Sequence, residues 1–147
     1  MTRHEPSPTR PLGSPLRGPL ALAAVVAAVA HIPVIAPHLD EAPYMGGLFI
    51  ALTGACLLLA GAVLAYDSAL VYLASAVTCG AAVLGYAATR LVAFPMLADD
   101  VGNWFEPLGV VSILTETAVV VLSLLALSGA RRPAAPVPAP AVHGAMR

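Results

Sequence analysis

The sequence predicts an all-α membrane protein, an antiparallel bundle of four transmembrane helices with disordered tails. Three observations lead there. Of 147 residues, 59% are hydrophobic and only 10% are charged, against about 25% charged in a soluble domain. Four apolar stretches have roughly the 20 residues needed to cross a hydrocarbon core at about 1.5 Å per residue. None of them alternates polar and apolar positions as a barrel strand would, so helices are the structures able to span. A formal net charge of −1 excludes nucleic acid as a partner.

Taken in order, residues 1–18 read as a disordered tail broken by Pro6, Pro8, Pro11 and Pro15. The transmembrane domain covers 19–130. Its first span is 20–37, where Pro33 and Pro37 predict a kink or an early stop. Ala28-Val29-Ala30 before His31 has the form of a signal-peptide cleavage site. The apolar run continues through Ile32, Val34 and Ile35, which favours an uncleaved span. The second span is 46–66, followed by a tight turn at Asp67-Ser68 and a third span at 69–94. The fourth is 108–130. Residues 131–147, with Pro133, Pro136, Pro138 and Pro140, form a second disordered Pro-rich tail.

Orientation follows from the basic residues near the span ends. Arg3, Arg10 and Arg17 precede the first span, and Arg131, Arg132 and Arg147 follow the last. Both termini are therefore expected on the cytoplasmic side of the cell membrane. The outer face is then acidic, with Asp40, Glu41, Asp99, Asp100 and Glu106 beside His38. Tyr44, Trp104 and Phe105 suit an interfacial aromatic belt.

Helices in lipid associate through small residues and buried polar contacts. The expected inward stripes are Ala24, Ala27, Ala28 and His31; Gly47, Ala51, Gly54 and Gly61; Ser75, Cys79, Ala82, Tyr86, Thr89 and Arg90; and Gly109, Ser112, Glu116 and Ser123. Leu and Val on the other faces should meet lipid.

Three ionisable residues, His31, Arg90 and Glu116, lie inside the spans. A charge at the bilayer centre costs about 2.5–3.5 kcal/mol on insertion scales, so such residues face one another and mark candidate sites. His31 is expected about 9 Å and Glu116 about 14 Å below the outer ends of their spans, within side-chain reach of each other. They should meet directly or through Ser112, Thr115 or a water. Arg90, about 5 Å down, should pair with Glu106 or the first-loop carboxylates.

His31, His38, Glu41, Glu106, Met45 and Met96 are a mixed donor set on the outer half. Imidazole and carboxylate suit a divalent metal ion, and thioether with imidazole suits copper. No tight ligand spacing supports such a cofactor. The two histidines come from one segment, which disfavours haem. Cys56 and Cys79 sit in apolar runs and read as core side chains. No nucleophile elbow, HExxH or phosphate loop occurs, so the sequence points away from an enzyme. The leading reading is a non-enzymatic bundle with a polar, acidic outer pocket that binds a cation or serves a larger membrane complex. The alternatives are a homo-oligomeric proton-coupled carrier or channel subunit, and a copper or haem redox component.

The stretch HIPVIAPHLDEAPYMGGLF, followed by TRLVAFPMLADDVGNWFEPLGVVSILTE, resembles a group of small, uncharacterised four-span integral membrane proteins of actinobacteria. The features that carry the likeness are His31, Pro37-His38-Leu39 with Glu41, Gly47 before Phe49, Arg90, Glu106-Pro107 and Glu116. The resemblance spans residues 20–128. It implies the four-span architecture and a cell-membrane location, and no activity.

Overall fold

The computed structural model describes residues 10–130; the tail segments 1–9 and 131–147 lie outside the described residues. Four helices follow in order: α1 (Arg17–Glu41), α2 (Pro43–Tyr66), α3 (Ala69–Leu91) and α4 (Pro107–Ala130). Each is long and apolar enough to cross a membrane. Among the described residues there is no strand. The protein is a multi-pass helical membrane protein in which α1 packs on α2 and α4, and α3 on α4.

The helix ends follow local chemistry. α1 does not stop at Pro37; it passes both prolines and ends at Glu41. In an apolar medium a freed backbone group finds no water, so continuing the helix is the cheaper course. Ala42, fully buried, closes the end by donating its N–H to His38 O at 2.8 Å. Pro43 then occupies the first turn of α2, where its missing N–H is harmless. α3 ends at Leu91, three residues short of the expected 94, where Pro95 lacks the N–H that would have bonded Leu91 O in a further turn. At the start of α4, the Glu106 carboxylate accepts from Leu108 N–H at 3.2 Å and Gly109 N–H at 2.6 Å, with Pro107 opening the helix.

The expected inward stripes hold for α1, α3 and α4. Leu20, Ala24, Ala27, Ala28 and His31 are buried on α1; Ser75, Cys79, Thr89 and Arg90 on α3; Ser112, Glu116, Val119 and Ser123 on α4. The α2 stripe is a correction. Gly47, Ala51 and Gly61 are exposed, and the buried line is Gly46, Cys56, Ala60 and Val63. Small residues surround α2, so size alone does not select a face. The tight hairpin with α1 does. A Cβ on Gly46 would lie 2.7 Å from the Leu39 backbone nitrogen. Outside the bundle, Leu22, Leu58, Leu84, Leu114 and Leu124 are exposed, an apolar surface suited to lipid.

The bundle has two distinct ends. One carries the 92–106 loop and is called the loop end; the other carries the Asp67-Ser68 turn and is called the tail end. Residues 10–16, expected within a disordered tail, pack against that turn. Leu12 N–H donates to Asp67 O at 2.8 Å, and Ser14 N–H donates to Asp67 Oδ2 at 3.0 Å. Tyr72 OH, fully buried, donates to Asp67 Oδ1 at 2.6 Å. Asp67 holds a left-handed backbone, φ 43°, which aspartate tolerates better than most residues. One carboxylate thus ties together the α2–α3 turn, the base of α3 and the approach to α1.

Gly46→Val should lower unfolding stability in detergent by about 1–3 kcal/mol, the usual penalty of overpacking. Asp67→Ala should cost more than Asp67→Asn, by about 1–3 kcal/mol for the buried donor left unsatisfied. Chemical denaturation of the purified variants measures both.

Candidate functional site

A cavity of about 660 Å³ occupies the loop-end half of the bundle. That volume lies within the range of small-molecule sites, about 300–1,000 Å³. Its lining is mostly apolar, drawn from all four helices, with polar groups at two levels.

The lower level is the floor, formed by His31 and Glu116. Because α1 runs to Glu41, His31 lies about 15 Å below that helix end, and Glu116 lies about 14 Å below the start of α4. The two share one level, without the offset expected from a shorter first span. His31 Nε2 and Glu116 Oε1 are 3.5 Å apart, and both side chains are almost fully buried. A carbonyl oxygen only accepts, so the 2.7 Å contact of His31 Nδ1 with Ala27 O fixes a proton on Nδ1. Nε2 therefore faces the carboxylate. The pair is in ionic reach but not hydrogen-bonded, and Glu116 Oε1 has no hydrogen-bond partner. Phe49 packs over His31, ring centres 5.4 Å apart, and takes the edge of His38 at 4.8 Å.

The upper level is the rim. Arg90 Nη1 is 2.6 Å from Asp100 Oδ1 and donates to Asp100 O at 3.2 Å. The guanidinium also lies 4.6 Å from the Tyr86 ring centre, a cation–π geometry. Its buried Nε has no partner. The predicted partners of Arg90 are therefore corrected: Glu106 is spent on the α4 amides, and Asp40 and Glu41 are exposed at the end of α1. Arg90 and the floor pair line one cavity at different depths and do not form a single cluster of three.

Other expected residues divide in the same way. Ser112 is buried and lines the cavity. Thr115 turns back on its own helix, donating to Val111 O at 2.9 Å and Ser112 O at 3.0 Å, and does not bridge the floor pair. His38 and Met45 line the cavity, whereas Met96 and Asp99 are exposed on the loop. The candidate metal donors do not converge: among the described residues no group of three or more His, Cys, Asp and Glu stands close enough to hold an ion.

No known protein family, curated protein or solved structure matches the chain.

Two features were not legible in the sequence. Below the floor, the thiols of Cys56 and Cys79 meet in side-chain contact between α2 and α3. Above the rim, the 92–106 loop is pinned across the bundle. Tyr44 OH donates to Pro95 O at 2.8 Å, Tyr86 OH to Trp104 O at 2.9 Å, and Gly102 N–H to Arg90 O at 3.0 Å. Tyr44 and Tyr86 read as interfacial and arc residues from spacing; which carbonyl each hydroxyl meets depends on the loop path.

Arg90→Gln or Asp100→Asn should each release this loop at a cost of about 1.5–3 kcal/mol, the range for charged hydrogen bonds. The double variant should lose little more than either alone. Trp104 is the sole tryptophan; its emission should shift to the red, and amide exchange at Gly102 should quicken.

Proposed function

We propose that this protein is a non-enzymatic binding protein of the cytoplasmic membrane, with both termini cytoplasmic and the cavity on the outer side. The cavity takes a small molecule through a cationic group held at Glu116 and His31. The observation that carries this reading is Glu116 itself: a carboxylate 2% exposed, with Oε1 unpartnered, at the floor of a roomy apolar cavity. A buried acceptor without a donor is costly, and an ammonium group supplies both the charge and the hydrogen bonds. A bare metal ion fits less well, since it requires several converging donors and only His31 approaches the carboxylate.

The packing also favours binding over passage. A carrier needs a path beyond Glu116 toward the tail end, where Cys56, Ala60, Tyr72, Cys79, Val119 and Ser123 form buried core. The outer acidic residues Asp40, Glu41 and Asp99 are exposed and lie outside the cavity lining.

The protein in lipid nanodiscs, titrated with short primary alkylammonium ions, provides the test. Thermal unfolding should rise for wild type. Glu116→Gln should weaken binding by about tenfold or more, that is about 1.4 kcal/mol, and His31→Ala by less. If no amine stabilises wild type, or if Glu116→Gln binds equally well, the reading fails.

A further inference from the structure

We infer that the ligand of this cavity enters sideways from the bilayer, through a cleft between α2 and α3, and is a single-chain lipophilic amine. The inference rests on the amine-binding reading above and adds the route and the hydrocarbon chain.

Three observations point to the route. First, α2 and α3 are joined at the tail end by a two-residue turn locked by Asp67, and they meet again at Cys56 and Cys79. Of the neighbouring helix pairs they pack together least, and residues of both line the cavity toward the loop end, which leaves a wedge between them.

Second, both walls of the wedge are small and open to the outside. Ala51 on α2, and Ala81 and Gly85 on α3, line the cavity and are also exposed. A Cβ added to Gly85 would meet nothing within 4 Å. These positions lie about 9–15 Å from the loop-end termini of their helices, at hydrocarbon depth. The opening therefore faces acyl chains, not water.

Third, a loop lies across the aqueous side of the cavity. The 92–106 loop crosses the loop end, and its bond from Tyr44 to Pro95 bridges from α2 over the top of the same wedge. Buried Leu97 anchors the loop.

The chemistry of the floor suits a guest from lipid. Nε2 of His31 and Oε1 of Glu116 each present lone pairs unless one proton lies with the pair. An amine crosses the acyl region uncharged and accepts that proton at the floor. The N–H bond forms as the bond from the proton to the pair breaks, leaving an ammonium against a carboxylate. Neither partner enters lipid as a bare ion. The chain then lies along the apolar walls and leaves through the cleft into the acyl region.

The experiment uses full-length protein in nanodiscs with dodecylamine and butylamine, read by thermal unfolding, with Trp104 emission reporting that the loop end stays folded. Gly85→Leu and, independently on the opposite wall, Ala51→Leu fill the cleft. Each should weaken dodecylamine binding by about tenfold or more, about 1.4 kcal/mol, and weaken butylamine binding by clearly less. If both variants bind dodecylamine as wild type does, the lateral route is wrong while amine binding at Glu116 stands; if they weaken both amines equally, the chain does not lie in the cleft and that part of the inference fails. Loss of neither amine in Glu116→Gln overturns the floor site itself, and the lateral route with it.

Discussion

The meeting of His31 and Glu116 is the constraint around which the rest of the bundle is arranged. A carboxylate near the middle of a transmembrane helix has no acceptable orientation except inward, toward a partner. The partner comes from α1, at the same depth. That one contact sets the rotation of α1 and α4 about their axes and their relative height. The remaining buried residues of the two helices then follow at intervals of three and four, from Ala28 to Leu20 on one and from Ser112 to Ala126 on the other. The register is held by a polar pair because van der Waals contact among alanines and valines discriminates weakly between neighbouring registers.

The two ends of the molecule solve opposite problems. At the tail end a single aspartate satisfies a tyrosine hydroxyl and a backbone amide, and the core below Glu116 is filled. At the loop end an arginine is neutralised by Asp100 and shares Tyr86, but the space beneath is left open. Filling that space would have required only larger residues at Ala51, Ala81, Ala82 or Gly85, in helices otherwise rich in leucine and valine. The same four helices thus close on a buried core below Glu116 and enclose a larger cavity above it. Orphaned buried polar atoms occur in both halves: Glu116 Oε1 and Arg90 Nε along the cavity, and Ser123 Oγ in the core below.

The apolar runs, their length and their punctuation determined by themselves that four helices cross a membrane, and the depth of His31 and Glu116 placed the two within reach. Those properties are local: they depend on composition and on a rise of about 1.5 Å per residue. The inward stripes of α1, α3 and α4 were legible because each carries polar residues that lipid rejects. The stripe of α2 was not, since glycine and alanine lie all around it and only the close approach of Leu39 to Gly46 selects a face. Arg90 drew Asp100 rather than Glu106 because the loop path brings Asp100 to it while the free amides of α4 claim Glu106. The docking of residues 10–16 on Asp67, the contact of Cys56 with Cys79 and the wedge between α2 and α3 are likewise products of tertiary packing. Each joins groups far apart in the chain, and no local periodicity encodes which distant neighbour a side chain will meet.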